Sequence, residues 1–164
     1  MAYTNNLLVP DDGTDLGFAR VTSTAEYGLG ETRFDKAGNK YRYVEFKDSV
    51  TYVAGHVTTP ANTAWTAVTN DVSGGSSVAA SAFAGVVMGV PTTTLKYGWV
   101  QIGGVATVVG GGSVTANSHV KVNSTDGQAV NSGLTAAEGP LCFGTALEDD
   151  TGSPALFKCL LYGR

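Results

Sequence analysis

The sequence predicts an all-β fold, a small β-sandwich or barrel of short antiparallel strands with an extended N-terminal arm. Three observations carry that expectation. The chain of 164 residues holds 22 glycines and only two methionines, and it is rich in Val and Thr, whose β-branched side chains suit a pleated surface. Its apolar segments are short and are separated by Gly, Asn, Asp and Ser at the spacing typical of a sandwich or barrel. No long stretch repeats apolar residues at the 3.6-residue period of an amphipathic helix.

Taken in order, residues 1–15 read as the arm. Their one apolar patch, Leu7, Leu8 and Val9, is ended by Pro10, which lacks an amide donor and holds the preceding residue extended. Residues 16–77 form a β-containing region with loops. Within it Lys40-Tyr41-Arg42-Tyr43-Val44-Glu45-Phe46-Lys47 alternates as a strand, with Tyr41 and Tyr43 on one face and Val44 and Phe46 on the other. Val50 to Val53 is expected to pair nearby. Residues 58–66, with Pro60, show little periodicity, and the Gly- and Ser-rich run at 70–77 reads as a loop or boundary.

Residues 78–164 are the compact core of the expectation, and 16–164 are read as one domain, since a chain of this size buries roughly 70% of its unfolded surface. Strand-like segments fall at 83–90, 97–102, 105–109, 119–122, 141–147 and 156–162. Gly103-Gly104 reads as the two central residues of a type I′ hairpin turn, and 123–127 as a second turn. A single helical turn fits 134–138. In the 97–102 segment Tyr97, Trp99 and Gln101 share one face and Gly98, Val100 and Ile102 the other; Trp99 is either core or an anchor in a subunit interface.

Charge narrows the function classes. Acidic and basic residues make up 15% of the chain, against about 25% in a typical globular protein, and 14 of the 24 lie in residues 1–50. The net charge of -4 and a pI near 5.0, with no Lys/Arg cluster, argue against nucleic-acid binding. The opening residues lack the order of a signal peptide and the longest low-polarity run, 78–90, is too short to span a bilayer. The expectation is a soluble protein made in a cytoplasm, with no membrane partner.

Catalytic and ligand-binding patterns are weak. Asp150-Thr151-Gly152-Ser153 resembles the short signature around an aspartic-protease carboxylate, but only twelve residues follow Gly152, too few for the fold that such a site needs; a polar turn is the better reading. The acidic runs at 11–15 and 148–150 lack the ligand spacing of a calcium loop and read as solvated turns. His56 and His119, 63 positions apart, have no nucleophile or orienting partner beside them in sequence. Gly110-Gly111-Gly112-Ser113 lacks the Lys-Ser/Thr pair of a phosphate loop and reads as a flexible loop. Cys142 and Cys159 read as buried thiols, with a cross-strand disulfide as the alternative. Asn123-Ser124-Thr125 matches the glycosylation sequon, which needs a secretory route to be used. No enzyme activity, cofactor or metal is expected.

A resemblance adds to this reading. Ala84-Gly85-Val86-Val87-Met88-Gly89-Val90, Tyr97-Gly98-Trp99-Val100-Gln101-Ile102-Gly103-Gly104-Val105 and His119-Val120-Lys121-Val122 occur in that order. They are followed by Gly144-Thr145-Ala146-Leu147-Glu148-Asp149-Asp150 and a final apolar strand, Ala155-Leu156-Phe157-Lys158-Cys159-Leu160-Leu161. From Ala84 to Leu161 the chain resembles the capsid cement, or head decoration, proteins of tailed phages. The resemblance implies a structural virion protein on the capsid exterior. Its partners would be the major capsid protein and other copies of itself in a dimer or trimer, with Leu7, Leu8 and Val9 as the proposed contact of the arm. The alternative is a tail- or fibre-associated virion protein that binds a host-surface glycan, with Tyr41, Tyr43, Trp65 and Trp99 as candidates for stacking on sugar rings.

Overall fold

In the computed structural model, which describes residues 16–47, 51–72, 77, 79, 81–133, 141–152 and 154–163, a four-residue helix α1 (Leu16–Ala19) precedes ten strands. These are β1 (Thr32–Phe34), β2 (Lys40–Phe46), β3 (Val57–Pro60), β4 (Ala67–Thr69), β5 (Gly85–Val87), β6 (Tyr97–Gly110), β7 (His119–Val122), β8 (Ala129–Asn131), β9 (Gly144–Ala146) and β10 (Ala155–Tyr162). The arm, including Leu7, Leu8 and Val9, lies outside the described residues, as do Val50 and residues 134–138. The all-β expectation holds. The sheet is mixed, in the order β1-β2-β4-β3-β5-β6-β10-β9-β7-β8, with further pairings of β2 to β6 and of β6 to β8.

Those two extra pairings close the sheet on itself twice. The first ring is β2-β4-β3-β5-β6, and the second is β6-β10-β9-β7-β8. Each ring contains one parallel contact among antiparallel ones: β2 beside β4, and β6 beside β8 at Gly110 and Ala129. Closure removes the open edges of the ring strands, which otherwise invite aggregation, and among the described strands leaves three-residue β1 as an edge. β4 and β5, the strands before and after the Gly- and Ser-rich run, both belong to the first ring, and residues 73–76 of that run lie outside the described residues.

The fourteen residues of β6 are common to both rings. This corrects the reading of Gly103-Gly104 as a hairpin turn. The two glycines lie inside a continuous strand, where pairing with β2 jumps from Lys40 opposite Gly103 to Tyr41 opposite Gln101. Ile102 is thus the extra residue of a β-bulge, a feature that bends a strand and sharpens its twist. Gly104 has a φ of +83°, and a Cβ there would meet Asn39 Oδ1 at 2.1 Å. Asn39 Oδ1 accepts the Val105 amide at 3.0 Å, and Asn39 is fixed in turn by Asp35, whose carboxylate accepts its backbone N–H (2.8 Å), its Nδ2 (2.7 Å) and the Tyr41 hydroxyl (3.0 Å). The glycine pair meets both needs of a type I′ turn and of a bulge, and what decides here is the unbroken pairing of 103–110 with β10.

Alternation along β2 and β6 sorts the core as the sequence predicts. Val44, Phe46, Val100 and Ile102 fill the first ring with Val68, Ala84, Val87 and Tyr52. Residues 51–53 do not form the expected strand; instead Tyr52 is buried there, its hydroxyl donating to the Lys47 carbonyl at 2.7 Å. Ala106, Val108, Val120, Ala129, Phe143, Ala146, Phe157, Cys159 and Leu161 fill the second ring and run up against Val57 and Val86, opposite neighbours on β3 and β5. The stretch read as aperiodic around Pro60 holds β3, whose four residues are all buried, so the period-2 signal is missing because neither face meets water.

A third cluster covers the outer face of β2 and β6. Phe18 of α1 stacks on Tyr41 (3.8 Å between centroids) and meets Trp99 edge-on (5.3 Å), while Tyr43, opposite Trp99 in register, lies 5.0 Å from it. Tyr27 closes the cluster beside Trp99. Trp99 is 4% exposed and belongs to this core within a single chain. Trp99→Ala is expected to cost about 3–5 kcal/mol, the usual range for a large buried aromatic, measured by denaturant unfolding; an unchanged midpoint would contradict its place in the core. Gly104→Ala is expected to destabilise by about 1–3 kcal/mol through left-handed strain, with further loss from the clash with Asn39, and a melting temperature equal to the parent's would refute the bulge.

Candidate functional site

The residues singled out for chemistry are built into the scaffold. His56 Nδ1 faces two N–H donors, Asn70 Nδ2 at 2.9 Å and the Val53 amide at 3.3 Å, so it acts as acceptor and the ring proton sits on Nε2. The ring packs on Gly127 in the β7–β8 turn, tying the first ring to the second. Burial lowers the His56 pKa, and nearby Asp126 only partly offsets this. His119 bonds through Nδ1 to the Tyr162 hydroxyl, which also meets Thr145 Oγ1 at 2.7 Å. The two histidines therefore lie on different rings.

The acidic run at 148–150 is not a fully solvated turn, as its sequence suggests. Asp150 is buried; its Oδ2 accepts the Gly112 amide at 2.6 Å and its Oδ1 the Gly152 amide at 3.1 Å. Gly111 donates to the Ala129 carbonyl at 2.9 Å, so the glycine run read as a flexible loop is pinned on both sides. Asp149 accepts the Ala116 amide and Glu148 the Lys158 amide, each at 2.8 Å. These carboxylates satisfy backbone donors at chain reversals. Cys142 and Cys159 are buried thiols that form no disulfide, and burial pushes the Cys159 thiol up to about 12, which keeps it protonated and unreactive. Among the described residues no group of three or more His, Cys, Asp or Glu side chains could hold a metal ion, and no helix is long and apolar enough to cross a membrane.

What the second ring presents to solvent is apolar. Strand β10 alternates so that Phe157, Cys159 and Leu161 point inward while Leu156, Lys158, Leu160 and Tyr162 point outward. Leu156 is 59% exposed and Leu160 43%. Opposite Leu160 stands Val105 on β6, 48% exposed, and on its other side Thr145 on β9. Leu147, also exposed, joins the same face through its amide bond to the Lys158 carbonyl (2.8 Å). Val105, Leu147, Leu156 and Leu160 thus lie around Lys158, the only charged side chain of β10, with Thr107 of β6 directly opposite it, and Tyr162, Thr145 and His119 form a polar rim. An apolar centre with a polar rim is the composition of a protein contact surface.

Sequence reasoning did not single out this face, yet β10 carries a signal for it. Residues 156–162 are apolar on both faces of the strand, and a short ring has an interior on one side only. Of the aromatics proposed for sugar stacking, Tyr41, Tyr43 and Trp99 are buried and Trp65 alone is exposed. No family model, curated protein or solved structure matches the chain, so the likeness over residues 84–161 rests on the residues quoted for it.

Because the folded-state pKa of His56 lies below its ordinary value of 6.5, the folded protein binds fewer protons there than the unfolded chain. The stabilisation is complete above pH 6.5 and is lost as pH falls through the lowered folded value. The difference in melting temperature between the parent and His56→Gln is expected to shrink on acidification from pH 7.5 to about pH 5. A constant difference across that range would rule out the buried neutral histidine.

Proposed function

We propose that this chain is a structural virion protein of the decoration type, which binds the outer surface of a phage capsid and stabilises the shell without catalysing a reaction. The observation that carries the reading is the exposed apolar face of β10, β6 and β9 on a closed and rigid body. Decoration requires a block that keeps its shape and repeats one modest contact over a symmetric lattice. A standard contact covers about 800 Å² on each partner, and repetition or self-association multiplies its strength through effective concentration. On this reading the major capsid protein covers the Val105, Leu147, Leu156 and Leu160 face, other copies of the chain sit beside it as a dimer or trimer, and Leu7, Leu8 and Val9 of the arm reach a neighbouring subunit. The likeness to decoration proteins over residues 84–161 supports the same assignment.

The test is to compare parent protein with Leu156→Asp/Leu160→Asp on capsid shells stripped of the chain, by co-sedimentation. Both leucines point outward, so the doubly substituted protein is expected to keep its melting temperature and lose shell binding by at least about tenfold, the equivalent of 1.4 kcal/mol. Parent binding is expected to persist at about 1 M salt, where charges are screened beyond about 3 Å. Undiminished binding by the variant, or purified virions that lack the chain by quantitative mass spectrometry, would overturn the proposal.

A further inference from the structure

A cavity of about 500 Å³ opens at the mouth of the first ring, within the size range of small-ligand sites. Its floor is Ile102 with Phe83 and Phe143, whose rings stack at 4.2 Å. Trp65 and Arg42 line it from two different elements. Trp65 lies in the turn between β3 and β4 and is 37% exposed with a φ of +59°, the left-handed region that bulky residues avoid. The turn is held by Asn62, whose Oδ1 accepts the amides of Thr66 (3.1 Å) and Ala67 (3.3 Å) while its Nδ2 donates to Thr66 Oγ1 (2.9 Å). Four hydrogen bonds, counting the Trp65 amide to the Asn62 carbonyl at 3.2 Å, thus fix the backbone beneath an indole that stays at the surface. Strain retained beneath an exposed aromatic is characteristic of binding sites.

Arg42 supplies the second, independent observation. It follows Val44 and Phe46 outward on the same face of β2 and is half-buried at the ring mouth. The other charged residues of its strand are engaged, Glu45 with Lys47 at 3.0 Å and Lys40 with the Gly163 carbonyl at 3.5 Å, and Arg33 on adjacent β1 pairs with Glu31 at 2.8 Å. Arg42 makes no side-chain hydrogen bond or ion pair among the described residues, and burial lowers its pKa with no acidic group acting in the opposite sense. A half-buried guanidinium without a counter-charge is costly, and a carboxylate is the group its planar fork matches. Ser81 adds a hydroxyl at the rim.

We propose that this cavity binds an acidic saccharide residue, with the sugar ring against the Trp65 indole and its carboxylate on the Arg42 guanidinium. An uncharged apolar ligand would leave Arg42 desolvated and unpaired. Polyphosphates need more than one cation. A peptide held by strand addition needs an open edge, whereas most of this cavity is lined by turns, with Arg42 and Ile102 coming from strands that close the first ring. The inference stands on the cavity alone and does not depend on the decoration reading.

The probe is a galacturonate tetrasaccharide, with the neutral galactose tetrasaccharide as its control, titrated into the full chain and read by isothermal titration calorimetry, and in chains that keep Trp65 also by Trp fluorescence and the indole N–H resonances. The chain has two tryptophans, and since Trp99 is buried, Trp65 should report binding alone. Saturable binding of the acidic probe is expected, with the neutral one at least tenfold weaker. Arg42→Met is expected to abolish that preference and Trp65→Ala to weaken both probes at least tenfold, while Trp65→Phe restores part of the affinity and shows that the turn is intact. Equal affinity for the two probes, no saturation with the acidic one, or undiminished binding in folded Arg42→Met would each overturn the assignment. So would preferential capture of a peptide bearing an aromatic residue and a terminal carboxylate.

Discussion

One strand carries both halves of this molecule. β6 runs through the walls of two closed rings, and the constraint on everything else is that its backbone must turn from one into the other without losing its partners. The bulge at Ile102 and the left-handed Gly104 supply the bend. Asn39 then satisfies the amide of Val105 that β2, ending at Lys40, no longer reaches. The Asp35 carboxylate holds Asn39 in place and also takes the Tyr41 hydroxyl, so this polar joint is anchored to the aromatic cluster over β2. Because hydrogen bonds continue from β2 to β10 along the same strand, neither ring has a wall of its own to unfold independently.

The two rings treat their outer faces differently. The first uses α1 and residues 20–31 to cover Tyr41, Tyr43 and Trp99, and Arg20, Glu26, Glu31 and Arg33 lie in this cover and adjoining β1. The second is covered over Val109, where Gly55 packs, but leaves Val105, Leu147, Leu156 and Leu160 exposed among Thr107, Thr145 and Lys158. Burying Leu156, Leu160, Val105 and Leu147 against a partner would gain roughly 25 cal/mol for each Å² removed from water. The difference between the two outer faces gives the molecule a direction, with an aromatic layer covered on one side and Leu and Val side chains meeting water on the other.

Much of the fold was legible in residues that alternate. β2 and the first half of β6 declared both of their faces, because each separates two environments that differ in polarity, and Tyr41, Tyr43, Val44, Phe46, Trp99 and Val100 all fall where period two puts them. The 123–127 turn was equally plain from its Asn, Asp and Gly. Residues 57–60 were opaque because they are buried on both sides, and a Pro at the end of a strand looks the same in sequence as a Pro in a loop. Gly103-Gly104 was misleading for a different reason: positive φ suits both a reversal and a bulge, and only the distant partner strand, which sets Leu161 and Tyr162 opposite the two glycines, selects between them. The candidate sites were least legible, since the β10 face depends on what fails to cover it and the Trp65–Arg42 cavity joins residues from separate elements.

The bulge also determines which accidents of replication the gene tolerates. Side chains along a strand change faces at every residue, so losing one codon between those for Gln101 and Val105 would leave the first ring's alternation intact and turn the downstream half of β6 inside out. Ala106 and Val108 would exchange places with Val105 and Thr107, burying a hydroxyl and exposing the core of the second ring. Insertions are absorbed most readily in exposed turns such as 92–95, where no strand pairing depends on the count. The fold therefore accommodates changes of length in its exposed loops, while strand pairing fixes the spacing from Tyr97 to Gly110 residue by residue.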